Sequence, residues 1–209
     1  MKPIGIFSGS FNPVHIGHLA LANWLCEYEG LAEIWFLVTP QNPLKEKTDL
    51  MDYDLRYNMV KEAIAGYSKF KVSDIECSLP LPSYTINTLR YLQKKYADYY
   101  LFYLIIGADS WENIDKWKDA QSLFREFPIL IYPRKNFDQT DNLLLSHNKE
   151  DIPVFHYQLS TDNFKLPHIR KVDAPLIDIS SSYIRSAIRE GKDVRFLLPE
   201  AARSYVRFF

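Results

Sequence analysis

IGIFSGSFNPVHIGH, residues 4–18, is the stretch that decides the fold. Ile4–Phe7 is a short apolar run ending in Ser8, Gly9 and Ser10, the pattern of a buried strand opening into a loop. From His15 the apolar spacing turns helical: Leu19, Ala22, Leu25 and Cys26 share one face, and Gly30 stands where such a helix stops. Gly9 lets the backbone approach a ligand closely, and Pro13 fixes the chain's entry into the helix. His15 and His18, three apart, fall on one face of the first turn, beside the N–H groups that a helix N-terminus leaves exposed. A capped helix with two incidental histidines is the plainer explanation. Two on one face, directly after a strand and a Gly-Ser turn, favour a phosphate-handling site instead. Gly17 between them leaves room for a base or ribose, and two imidazoles without a third ligand do not make a zinc site.

The same alternation continues down the chain. Ala32–Val38 reads as a second strand, residues 52–67 as a helix with Leu55, Met59 and Ile64 inward, and Phe70–Ile75 as a third strand. Ser83 to Tyr96 is helical, and Tyr99–Ile106, rich in aromatic and β-branched residues, is the strongest strand. Phe127–Tyr132 is a further strand; Val154–Tyr157 and Leu176–Ile179 are weaker ones, and residues 134–150 read as a loop. Ser180–Glu190 forms a helix ended by Gly191, and Pro199–Phe208 a last one. Strands alternating with helices predict an α/β fold, a Rossmann-like, open and mainly parallel sheet with helices on both faces. In such sheets ligands bind beyond the carboxyl ends of the strands, where Gly9–His18, Gly107–Asp109 and Ser180–Arg185 all fall.

Composition narrows the classes. With 209 residues, 47% hydrophobic and 24% charged, the chain fits a single domain, residues 1–209, whose part from about 180 is helical. A formal net charge of -1 excludes an electrostatic nucleic-acid binder but not a site for small anions. Cys26 and Cys77 fall outside any paired metal spacing. The N-terminal apolar run is too short for a secretion signal and no segment reaches membrane-spanning length, so the cytoplasm is the default location. The 15% aromatic content and the Phe208-Phe209 end suit a homo-oligomer as well as a packed terminus.

A second cluster, ISSSYIR over Ile179–Arg185, puts serines before a helix, where hydroxyls and free N–H groups suit phosphate oxygens, and Arg185 adds a cation one turn in. Further residues stand out in order: Ser83-Tyr84-Thr85, Thr88-Leu89, Ile106–Ser110 and Trp117. Each has a bland reading, as helix cap or core. Trp117 also offers a stacking plane, and Thr85 with nearby N–H groups a seat for a carboxylate.

The pattern G-x-F-x-P-x-H-x-G-H over Gly9–His18 resembles the signature of the nucleotidyltransferase superfamily, and His15–His18 spells the HIGH tetrapeptide of the related class I aminoacyl-tRNA synthetases. Ile179–Arg185 is similar to the ISSS/T-x-x-R pattern of the adenylyltransferase branch, whereas a lysine-rich KMSKS-like loop and the arginine-threonine-rich cytidylyltransferase version are not found. The third set looks like the bacterial nicotinate-nucleotide adenylyltransferases, and the resemblance runs from Ile4 to Pro199. One departure stands at Thr39–Lys45, where many members carry a P-P-H-K-like loop; the resemblance leaves the phosphate-neutralising role there to Lys45.

The resemblance implies transfer of AMP from ATP to nicotinate mononucleotide. It assigns Gly9, Ser10, Phe11, His15, Gly17, His18, Gly107, Asp109, Ile179, Ser180, Ser182 and Arg185 to ATP. It assigns Ser10, Phe11, Lys45, Tyr84, Thr85, Trp117 and Arg134 to nicotinate mononucleotide. His15, His18, Lys45 and Arg185 carry catalysis as charge stabilisers, with Mg²⁺ held mainly by the ATP phosphates and no protein metal site. An acceptor phosphate is already an anion and needs no general base. The alternatives are nicotinamide-mononucleotide or phosphopantetheine adenylyltransferase, or a non-catalytic nucleotide sensor of the same fold; no nucleic acid or membrane partner is expected.

Overall fold

Six strands form one sheet: β1 (Lys2–Gly9), β2 (Glu33–Val38), β3 (Phe70–Ser73), β4 (Tyr100–Gly107), β5 (Ile129–Tyr132) and β6 (Ile169–Lys171). The computed structural model describes residues 1–40, 50–135 and 169–209. The strand order is β3-β2-β1-β4-β5-β6, with every neighbouring pair parallel. Parallel strands covered on both faces read as near-continuous apolar runs, as β2 does after Glu33, with all six residues buried.

Side-chain alternation sorts these runs into two cores. Phe7, Ile34, Phe36 and Val38 face one layer; Ile4, Ile6, Trp35 and Leu37 face the other. The first layer is covered by α1 (Ile16–Tyr28), α2 (Tyr53–Ala63) and the C-terminal segment, whose Ile184, Ala187, Leu198 and Ala202 join that core. The second is covered by α3 (Thr85–Tyr96), α4 (Ala108–Glu112) and α5 (Ala120–Glu126). Chain direction across the sheet reverses between β1 and β4, so a crevice opens beyond Gly9 and Gly107.

The sheet, wholly parallel among the described residues, agrees with the sequence expectation, but three elements differ. Leu176–Ile179 is not a strand; it is irregular chain leading into α6 (Ser181–Arg189), and the sheet's last strand is the shorter, basic Ile169–Lys171. The C-terminal element Glu200–Phe208 is a 3-10 helix, packed against α2 with Tyr205 Oη donating to Glu62 Oε1 at 2.9 Å. On α2 it is Arg56 that turns inward with Met59 and Val60, while Leu55 is only half-buried. Gly30 and Gly191 have φ of +68° and +71°, the left-handed geometry that ends a helix. Val154–Tyr157, Lys45 and all but the first two residues of 134–150 lie outside the described residues. Among the described residues no helix is long and apolar enough to cross a membrane.

Candidate active site

The crevice is a cavity of about 830 Å³. Into it come the loop after β1, Gly107 and Asp109 after β4, Tyr132 and Arg134 at the end of β5, the start of α3 and the start of α6. The two clusters far apart in sequence are bonded to each other. Arg185 Nη1 donates to the Asn12 carbonyl at 2.8 Å, and the Ser181 hydroxyl donates to the Pro13 carbonyl at 2.9 Å. Ser180 caps α6, accepting from the Tyr183 N–H at 3.1 Å. The first-turn N–H groups of α6 and the Arg185 guanidinium thereby share one rim of the cavity with the histidine turn.

His15 caps α1, and its ring stacks on His18 with centroids 3.7 Å apart. The His15 backbone N–H donates to His18 Nδ1 at 3.2 Å. With Nδ1 accepting, the proton of the neutral His18 ring sits on Nε2, which fixes that atom as a donor. Phe11, at φ +45°, is 2% exposed and packs edge-on against His18, with centroids 5.1 Å apart. Its ring also lies over Gly9, where a Cβ would stand 3.1 Å from Phe11 Cζ. The Phe11 side chain is thus a wedge that seats His18, and it also lines the cavity.

His15 also departs from expectation. It is 2% exposed, and burial, with the nearby Arg134 cation, holds its imidazole down at about 3. It is a neutral ring, not the cation that the sequence reading made of it. This has a sign in the stability. The unfolded imidazole takes a proton below about 6.5 and the folded one does not until about 3, so His15 contributes fully above 6.5 and its contribution is lost as pH falls. Between pH 7 and pH 5 the unfolding free energy of wild type, measured by urea denaturation, should fall by about 2 kcal/mol more than that of His15→Asn. Equal losses would place the neutral ring elsewhere.

Gly17 and Ile179 do not line the main cavity; they border a narrow adjoining cleft with His15 and His18. A Cβ on Gly17 would stand 3.0 Å from His15 Nδ1 and 3.2 Å from Ile177 Cγ2, so the glycine makes room for the packing of these side chains. Gly107 is equally tight, since a Cβ there would fall 2.3 Å from Asp109 Oδ1 and 3.1 Å from Tyr132 Cζ.

Arg134 is half-buried, donating to Tyr132 Oη at 3.2 Å and lying 3.9 Å from Asp109 Oδ1. Held this way it is more than an incidental loop arginine. At the other end, Tyr84 caps α3, Thr85 is its first residue, and Trp117 leans on the second core. Gly9, Ser10, Ser182 and Asp109 line the cavity as expected; Lys45 lies outside the described residues.

Some residues of the site were missed in the sequence. Arg56, 1% exposed, collects four carbonyls: Met51 at 2.8 Å, Ser10 at 2.8 Å, Thr39 at 2.9 Å and Pro40 at 3.3 Å. It clamps the loops after β1 and β2 from below. The signal was its helical spacing with Met59 and Val60. Asn12 holds the same corner, its Oδ1 accepting from the Met51 N–H at 3.2 Å. Asp178, one residue before the serine cluster, pairs with Lys135 at 2.5 Å. Lys118 places its ammonium 4.4 Å from the centre of the Tyr84 ring.

Comparison with known proteins agrees with this geometry. Residues 6–187 match the model of the cytidylyltransferase-like family. A probable nicotinate-nucleotide adenylyltransferase of Bacteroides fragilis is 47% identical over 197 residues, covering 94% of this chain and 87% of that protein. One of Porphyromonas gingivalis is 43% identical over 195 residues, covering 93% and 88%. The solved Plasmodium falciparum nicotinic acid mononucleotide adenylyltransferase complexed with NaAD shares the fold, with a TM-score of 0.76 at 20% identity, covering 100% of this chain and 96% of that one. A parallel sheet with its two phosphate clusters bonded at the crevice, together with these relatives, places the chain in the cytidylyltransferase-like family, among the nicotinate-nucleotide adenylyltransferases.

Proposed function

We propose that the chain transfers AMP from ATP to nicotinate mononucleotide, giving nicotinate adenine dinucleotide and pyrophosphate. The observation that carries this reading is the bonding of Arg185 and Ser181 to the Asn12-Pro13 carbonyls, which makes one anion-binding rim from two distant motifs. An acceptor phosphate oxygen attacks the α-phosphorus of ATP, the bond from that phosphorus to the bridging oxygen breaks, and pyrophosphate leaves with the electron pair. The nucleophile is anionic near neutral pH, so no base is required. What the protein supplies is alignment and donors.

We assign His18 Nε2 and Arg185 to the reacting phosphates, the α6 N-terminus to the departing pair, and Arg134 to the acceptor phosphate. His15 acts as the packed partner of His18. At the far end Trp117 and Tyr84 flank the pyridine ring, and the first turn of α3 with Thr85 receives its carboxylate. Mg²⁺ fits here as a companion of the ATP phosphates. Among the described residues no group of three or more His, Cys, Asp or Glu side chains is placed to hold a metal, and the cavity's Asp109 and Asp178 face Arg134 and Lys135. It would lessen the repulsion between two polyanions. A cytoplasmic setting goes with two unpaired cysteines.

The test is pyrophosphate release from ATP with nicotinate mononucleotide, nicotinamide mononucleotide, phosphopantetheine or no acceptor. The fastest release is expected with nicotinate mononucleotide. Release with none of them would make the chain a nucleotide sensor, and a faster amide would change the acceptor while leaving the chemistry.

A further inference from the structure

Beneath the acceptor end of the cavity lies an acid that this chemistry does not use. Glu76, on the 3-10 turn Ile75–Ser78, is 4% exposed and lines the cavity with Ser83, Tyr84 and Thr85. Its Oε1 accepts the Thr88 hydroxyl at 3.3 Å, which sets the carboxyl against the first turn of α3. Its Oε2 and the Ser83 hydroxyl, both buried, have no hydrogen-bonding partner among the described residues. Buried polar atoms are almost always satisfied, so two orphans on one cavity wall mark a place where a bound group completes the set.

Burial pushes the Glu76 carboxyl up to about 7, and the hydroxyls of Thr39 and Thr88 offset this only in part. Asp74 and Cys77 flank it in sequence, Tyr53 and Arg56 of α2 lie near Cys77, and Lys116 and Lys118 line the same cavity. What α3 and the exit of β2 turn toward it are hydroxyls, and burial, not any of these charges, sets its protonation.

A helix N-terminus offers roughly half a positive charge, enough to favour one carboxylate but not two side by side. Resting on the reading above, in which the acceptor's carboxylate docks at the start of α3, we propose that Glu76 is a specificity-determining residue that makes the preference for the acid over the amide mononucleotide depend on pH. While neutral it leaves the helix terminus to the acceptor and can donate a proton to the shared hydrogen-bond set. Once ionised it puts a second negative charge at the same terminus, which repels the acid and leaves the amide unaffected.

The experiment is the ratio of kcat/KM for nicotinate mononucleotide to that for nicotinamide mononucleotide, measured across pH in wild type and Glu76→Gln. The acceptor phosphate titrates in the same range, but it acts on both acceptors alike and cancels in the ratio. In wild type the ratio should fall by about ten-fold as pH rises from about 6 to about 8.5, and in Glu76→Gln it should stay level. A level wild-type ratio, or the same fall in the variant, overturns the proposal. Calorimetry on wild type alone, in buffers of different ionisation enthalpy near neutral pH, gives a second readout that needs no variant. Binding of the acid should take up protons beyond any taken up with the amide, and equal uptake overturns the proposal. Turnover with neither mononucleotide removes the acceptor reading and this inference together; turnover with an unvarying preference for the acid removes the inference alone.

Discussion

Replacing His18 by alanine should lower turnover by about 10²–10³-fold while the protein stays folded. The ring's position explains both halves of that result. Its Nδ1 is occupied by the His15 N–H at 3.2 Å, so Nε2 is left to donate where charge gathers on the reacting phosphates. Phe11 and His15 hold it in place, with centroids at 5.1 and 3.7 Å, so the donor needs no reorganisation when charge develops. His18 is only half-buried, and water can satisfy the His15 N–H once the ring is gone. The loss should fall on kcat more than on the KM for ATP, because the contact strengthens in the transition state. Pyrophosphate release at saturating substrates, with circular dichroism and a melting curve on the same sample, checks it. Turnover within a few-fold of wild type would take His18 out of the reaction.

Arg56→Met should lower the unfolding free energy by about 3 kcal/mol or more. The methionine fills similar volume, so packing changes little, but four carbonyls lose their donor together. The loss of a buried cation would alone be favourable, since burial holds the guanidinium below its ordinary range. The orphaned acceptors outweigh that gain because four of them, on Ser10, Thr39, Pro40 and Met51, lose their donor at once. Arg56→Lys should fall between the two, as an ammonium reaches fewer of the four. Urea denaturation of the three proteins decides it; a methionine variant within 1 kcal/mol of wild type would mean that water replaces the guanidinium.

What was legible in the sequence was what is local. Gly9–His18 reads as strand, turn and helix because each residue's role depends on neighbours a few positions away. β2 beyond Glu33 and β4 read as strands because burial on both faces leaves them runs of apolar and aromatic residues. The short β6 did not read: Ile169 is buried in the core, but Arg170 beside it pairs with Glu29, and three residues of which two are cations carry no period. Leu176–Ile179 gave the opposite error, since an apolar run has the composition of a strand whether or not a partner strand lies beside it. Glu76 was out of reach for a different reason, and for Arg56 the helical spacing gave its inward face but not its partners. A buried charge or acid is tolerated only by groups brought from distant segments, and a linear pattern holds no trace of carbonyls or hydroxyls meeting in space. For His15 the residue was found but its charge state was not, because burial is a property of the fold.

The bonds from Arg185 to Asn12 and from Ser181 to Pro13 close loops of 173 and 168 positions. Contacts of that separation form late, since the ordering cost of the intervening chain must first be met by the sheet between them. A chain emerging from the ribosome completes its central strands well before α6 can dock, so nucleotide affinity arrives only with the last stages of folding. On the proposed reading, ATP that grips the finished rim but not its halves would act as a folding ligand. It would hold α6 in place by mass action, and the C-terminal segment's resistance to proteolysis should rise with nucleotide concentration.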